Sequence, residues 1–275
     1  MLSAIGRRIR TPWVQCFSEC RRVVERRAGL EIGGPSPIFA RGGLIPVYPL
    51  AGTMDNVNFA SQTIWEGAIK EGGTFRFHPG KPAGVQFIGE GADLRMIADC
   101  AYDFVLSSHM LEHSANPLGA LAEWRRVLKP GGALILVVPH RDGTFDHRRP
   151  VTTFSHLVDD FTRSTGEDDL THVEESLDLH DPSMDPDAHG IDLRERAGRN
   201  LEFRALHHHV FDTQLVVSAV EHAGFELSAV EPQQPYHVVV VARRPADGVP
   251  AKAYSADNLR SVLRSSPFLT DRNRS

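Results

Sequence analysis

Histidines and carboxylates gather where two apolar runs give out. Asp103-Phe104-Val105-Leu106 leads into Ser107-Ser108-His109, and the apolar stretch 133–138 leads into Pro139-His140 and then Arg141-Asp142-Gly143-Thr144-Phe145-Asp146-His147. Imidazole titrates near neutral pH, so a histidine held at such an edge can take a proton from a hydroxyl or an amine. His140 is the foremost candidate base, with His109 and Asp146 close to it in the chain. His207-His208-His209 is a third concentration, and His208 is expected to point inward. Imidazole and carboxylate also ligate divalent metals. No HxxxH spacing accompanies these three residues, and no metal is expected.

Positioning such residues requires elements with fixed ends. The run 103–106 is apolar enough for a strand buried on both faces, as is 133–138. Between them Asn116 and Pro117 open a helix, the first as a cap and the second in the first turn. Leu118, Leu121, Trp124 and Leu128 recur at helical spacing, and Lys129-Pro130-Gly131-Gly132 stops the helix. Strand, helix and strand without a polar face make a βαβ crossover in a parallel sheet, whose chemistry lies beyond the carboxyl ends of its strands.

Earlier in the chain a short apolar strand runs through Leu30-Glu31-Ile32 into Gly33-Gly34-Pro35. Glycines at a strand end permit a tight turn and close approach of a ligand to the backbone. Asp55 follows about 20 positions later, where nucleotide-binding sheets place a carboxylate on ribose hydroxyls. The segment 45–50 is a second strand demoted by its prolines, and 66–84 is a loop. The short strand 85–88 ends in Gly91-Ala92-Asp93-Leu94, whose carboxylate can accept a hydrogen bond from an exocyclic amine or cap the next turn. Thr152 or Thr153 caps a helix bearing Phe154, Leu157, Val158 and Phe161 on one face. Asp212 caps another through Ala223, and 226–231 with 236–243 form an antiparallel hairpin.

Composition narrows the class. The chain has 275 residues, of which 41% are hydrophobic and 24% charged, with a net charge of −5. Those are values of a globular protein, and the acidic balance excludes a dedicated nucleic-acid binder. Three cysteines without a paired CxxC fit a reducing, cytoplasmic setting, and no apolar run reaches membrane-spanning length. The organisation expected is an amphipathic helix or lid over 1–28, with Trp13, Phe17, Cys20 and Val24 on one face, then the main domain over 29–245. An acidic insertion at 150–209 acts as a substrate lid, and 246–275 is a polar, loosely attached tail.

Taken together, Glu31-Ile32-Gly33-Gly34, Asp103-Phe104-Val105, Leu111-Glu112-His113 and Arg126-Val127-Leu128-Lys129-Pro130-Gly131-Gly132 resemble the class I S-adenosylmethionine-dependent methyltransferases of the type 11 domain family. The resemblance spans roughly 30–243. It implies an α/β fold: a Rossmann-like, seven-stranded, mostly parallel sheet with an antiparallel last strand and helices on both faces. It implies S-adenosyl-L-methionine as cofactor, with Gly33 and Gly34 approaching its methionine part and Glu31 bonding near that end. Asp55 would take the ribose hydroxyls, Asp93 the adenine amine with Leu94 packed beside it, and Ser108 and His109 would lie close to the sulfonium. His113 belongs to a structural helix start and is given no chemical role. The reading is O-methylation of a small-molecule or glycan acceptor with a His base. A catalytically inactive, methyltransferase-like binding protein is the alternative, and a homodimer stays open.

Overall fold

The apolar runs do pair side by side. The structure, a computed structural model, describes residues 14–63, 66–185 and 193–274, so Trp13 lies outside the described residues. In chain order the strands are β1 (Ala28–Ile32), β2 (Thr53–Asn58), β3 (Gln62–Thr63), β4 (Gly67–Ala68), β5 (Gly72–Phe75), β6 (Gly84–Ile88), β7 (Tyr102–Ser108), β8 (Leu128–Pro139), β9 (Glu226–Gln233) and β10 (His237–Arg243). β3 and β4 form a separate ribbon, and the others form one sheet in the order β5-β6-β2-β1-β7-β8-β10-β9. β6, β2, β1, β7 and β8 are mutually parallel, while β10 runs antiparallel between β8 and β9. Among the described residues the sheet therefore has eight strands, not the seven expected. The extra one, β5, lies antiparallel to β6 in a stretch read as loop, where its glycines gave no strand signal.

The helices are α1 (Phe17–Val24), α2 (Pro117–Val127), α3 (Phe154–Arg163), α4 (Val173–Leu179), α5 (Leu193–Gly198), α6 (Asn200–Phe203), α7 (Thr213–His222), α8 (Ala256–Ser265) and α9 (Leu269–Arg272). Strand residues alternate between two cores. Val105, Leu134, Leu136 and Val138 join Leu121 and Trp124 of α2 and Val216 and Val220 of α7. Phe104, Leu106, Ile135 and Val137 join Cys20 and Val23 of α1 on the other face. Both faces are covered, which is why the runs read as unbroken apolar stretches. The caps form as their residue types require. Asn116 accepts from Gly119 N at 2.9 Å, Thr153 from His156 N at 3.3 Å and Asp212 from Leu215 N at 2.8 Å.

Two expectations are corrected here. The segment 45–50 is not a strand. Residues 33–52 form successive turns that bury Phe39, Ile45, Val47 and Tyr48 against the second face, and the strand begins at Thr53. The prolines at 46 and 49 remove the donors a strand would need. The C-terminal stretch is not a loose tail. α8 packs on the core through Leu259 and Val262, Leu263 and Phe268 are buried, and the fully buried Asp271 accepts from Thr213 N and Oγ1 and from Ser266 Oγ at 3.2, 2.6 and 2.6 Å. Its Oδ1 lies 3.1 Å from His140 Nε2. Among the described residues no helix is long and apolar enough to cross a membrane.

Removing the Asp271 carboxylate strands several buried donors at once. Asp271→Ala is expected to cost about 3–5 kcal/mol, the range for breaking a buried pair, read as a lower urea midpoint with an unchanged slope.

Candidate active site

At the carboxyl edge, β1 ends in a turn built on one buried acid. Glu31 is fully buried. The Tyr48 hydroxyl donates to its two oxygens at 2.8 and 2.7 Å, and Ser36 N donates to Oε1 at 3.0 Å. Burial pushes its carboxyl up to about 8 despite these donors. A Cβ on Gly34 would stand 2.1 Å from the Glu31 carboxyl carbon, so only glycine fits over the acid. Gly33 has φ +82°, which glycine adopts without strain. Asn56 and Asn58 both donate to Gly34 O at 3.0 Å, and Asn56 Oδ1 accepts from Gly34 N at 3.0 Å. Glu31 thus clamps the turn from below and does not line the cavity, a correction to its expected place beside a ligand.

Two cavities share Gly33 and His113 as wall. The larger, about 570 Å³, is lined by Gly33, Ser108, His109, Glu112, His207 and His237 among others. The smaller, about 70 Å³, lies at the ends of β2 and β6 between Asn58, Phe59, Glu90 and Met110. Arg204 closes its side by pairing with Glu90 and with Glu167 at 2.9 Å, its guanidinium 5.3 Å from the Phe59 ring centre.

Of the residues singled out by sequence, Gly33, Ser108 and His109 line the larger cavity. His109 Nε2 lies 3.0 Å from His237 Nδ1. Burial lowers His109 to about 3 and His237 to about 4.

Others are elsewhere. His140 is fully buried, stacked on Phe268 at 4.0 Å, with Nε2 against Asp271 and Nδ1 accepting from Asp142 N at 3.1 Å. It does not reach the cavity, because the C-terminal helices cover it. Asp55 sits in mid-strand, its oxygens accepting from Tyr102 Oη and Val85 N at 2.7 Å each, and Asn58 occupies the strand end instead. Asp93 is turned to the surface and paired with Arg95 at 2.6 Å, and Leu94 is buried in the core. Glu90, nearer the end of β6, holds the cavity position. Asp146 is buried behind the wall, not in it. His208 faces away, its Nε2 3.1 Å from Asn200 Nδ2, while its neighbour His207 faces the cavity.

His207 is the best-equipped group there. Its Nδ1 bonds Asp146 Oδ2, and Arg149 donates to Asp146 Oδ1 at 3.0 Å and to His207 O at 2.8 Å. The ring packs between Phe145 and His113, both at 4.6 Å. Burial works to lower His207, but the Asp146 carboxylate outweighs it and holds the group above its ordinary value. For Asp146, burial works to raise the carboxyl, and His207 and Arg149 together hold it below the usual range. Glu112, pushed up to about 7 by burial, leaves its Oε2 without a hydrogen-bond partner among the described residues. Sequence reasoning chose His208 over His207, gave His113 no role, and missed Glu112, Glu90 and Arg204. Only Glu90 had a readable signal, its place directly after a strand.

Residues 64–136 match a family described as a methyltransferase domain. No curated protein matches this chain. Solved structures similar to this chain include a S-adenosylmethionine-dependent methyltransferase of Mesorhizobium loti, 12% identical over 83% of this chain and 96% of that one, with a TM-score of 0.48. Another, of Methanosarcina mazei, is 15% identical over 83% and 98%, with a TM-score of 0.47.

Residues at both cavities fit the cofactor that the sequence resemblance implies. The bare backbone of Gly33 faces both cavities, and the orphaned Glu112 oxygen offers an acceptor in the wall of the larger one. Gly33, Ser108 and Glu112 would hold the methionine end, and Asn58 and Glu90 the adenosine end.

Gly34→Ala, which drives a methyl group into Glu31, is expected to weaken S-adenosylmethionine binding about tenfold or more, roughly 1.4 kcal/mol, measured by calorimetry. A second outcome concerns acid. His109 and His237 are held neutral below the ordinary 6.5, so the stability they contribute is complete above pH 6.5. It is lost as pH falls from there through about 4 and then about 3, because the unfolded chain takes up protons that the folded one refuses. The melting temperature should fall over that window, and less so in His109→Gln.

Proposed function

We propose that this chain is a class I S-adenosylmethionine-dependent methyltransferase that transfers a methyl group to a hydroxyl oxygen of a small-molecule or glycan acceptor, with His207 as general base. The observation that carries this reading is the His207–Asp146–Arg149 array, which presents one imidazole to the larger cavity. S-adenosylmethionine, when bound, supplies an electrophilic methyl group on a sulfonium. A hydroxyl is a weak nucleophile until its proton leaves, and a positioned imidazole accepts that proton as the oxygen attacks. Asp146 on Nδ1 fixes the tautomer, leaving Nε2 as the basic nitrogen, and favours the imidazolium that forms. The arrangement follows the logic of a nucleophile's base oriented by a third group. The insertion supplies the remaining wall. Met184 and Ala205 are apolar, whereas Asp185 and Arg196, paired at 2.5 Å, add polar groups suited to a hydroxylated acceptor.

Because His207 is raised, the base is protonated at low pH and the rate rises as pH climbs through a value above 6.5. His207→Gln is expected to lower kcat by roughly 10²–10⁴ while binding of the cofactor persists. In Asp146→Asn the acid limb should move to lower pH, since the carboxylate that outweighs burial is gone, and the maximal rate should drop. Release of S-adenosylhomocysteine over a panel of glycosides, phenols and amines reads all three. Turnover confined to amines, or an unshifted limb in Asp146→Asn, would sink the reading.

A further inference from the structure

The three consecutive histidines part company in the fold. His207 takes the cavity and His208 takes Asn200, while His209 turns toward a second cluster on the far side of the wall. There His156, His172 and His209 each bring a ring nitrogen within 4.8 Å of the others. Asp160, one helical turn after His156 on α3, adds a carboxylate. Its Oδ2 lies 3.3 Å from His156 Nε2 and 3.6 Å from His209 Nε2, and His156 Nε2 lies 3.1 Å from His172 Nε2.

These spacings have a meaning. Four ligands held at about 2.0–2.1 Å from a tetrahedral ion stand about 3.3–3.4 Å apart. An N–H···N bond between His156 and His172 would satisfy that pair alone. It would leave Asp160 Oδ2 buried without a hydrogen-bond partner, as it is, and His209 Nε2 with only a 3.4 Å contact to Ala115 O. A cation among the four atoms satisfies all of them. Asp160 Oδ1 is already oriented by the Thr165 hydroxyl at 3.0 Å, the kind of outer support that fixes a ligating carboxylate.

We propose that His156, Asp160, His172 and His209 form a zinc site. Three imidazole nitrogens and one carboxylate oxygen suit zinc and not magnesium or calcium, which prefer all-oxygen shells. Four protein ligands close the coordination sphere, so the ion is structural. It joins α3, the residue leading into α4, and the segment that carries His207 two positions earlier. Its role is to hold the insertion against the sheet edge and so keep His207 facing the cavity.

Elemental analysis of the full chain, loaded with Zn²⁺ and desalted, is expected to find about one zinc per chain. Replacing it with Co²⁺ after chelation should give the intense visible bands of a four-coordinate ion. His156→Ala, at a ligand whose side chain is 40% exposed, and Asp160→Asn should lose the zinc and the bands, with circular dichroism confirming the fold. His207→Gln should keep both, which separates this site from the Glu112–His113–His207 group in the cavity. Removing zinc should lower the melting temperature, and adding Zn²⁺ should restore it. Absence of bound zinc, retention in His156→Ala or loss from His207→Gln overturns the proposal. If His156→Ala fails to fold, the wild-type Co²⁺ spectrum decides, and the weak bands of a six-coordinate ion overturn it.

Discussion

A sheet buried on both faces leaves polar chemistry only one place to go. Val105, Leu134 and Leu136 face one core and Phe104, Leu106 and Ile135 the other, so β7 and β8 offer no surface until they end. Polar groups of the site are therefore assembled at the carboxyl edge: Gly33 after β1, Asn58 at the end of β2, Glu90 after β6, and Ser108 and His109 at the end of β7. A carboxyl edge alone is an open rim. The insertion between α3 and α7 makes it a cavity, and its interior adds paired charges to buried apolar residues such as Ala197, Phe203 and Leu206.

That difference shapes the energetics. The two cores under the sheet are stabilised by area, about 25 cal/mol per Å² removed from water. The insertion and the loop before it instead bury Asp146, Arg149, Arg196, Asn200 and Arg204, each costly to desolvate unless paired. Each has its partner: Arg149 with Asp146 and Glu175, Arg196 with Asp185, Arg204 with Glu90 and Glu167, and Asn200 with His208. Such networks contribute little net stability but admit few alternative arrangements, which suits a wall that must aim one imidazole.

Much of the fold was legible because its signals are local. The caps Asn116, Thr153 and Asp212 act within three residues, and strand alternation needs only a core on each side. The edge strand β5 and the turns of 33–52 were not legible, since glycine-rich edge strands carry little side-chain pattern and Tyr48 is buried by its bond to the distant Glu31. At the site, strand ends located Ser108 and His109. The same rule applied to Ile88 would have selected Glu90 over Asp93. His140 shows its limit: it stands at a strand end, yet Phe268 and Asp271, more than a hundred residues on, seal it off.

The sequence by itself determined the parallel sheet, its antiparallel last strand and the glycine turn, because these follow from periodicity, turn chemistry and short motifs. Tertiary structure decided which histidines meet which carboxylates. His207 joins Asp146 across 61 residues and His209 approaches Asp160 across 49, while the middle one, His208, belongs to neither. Adjacent side chains in an extended segment diverge, so the chemistry of His207-His208-His209 depends on the surfaces that arrive on either side of it, and those are set by the packing of the whole insertion.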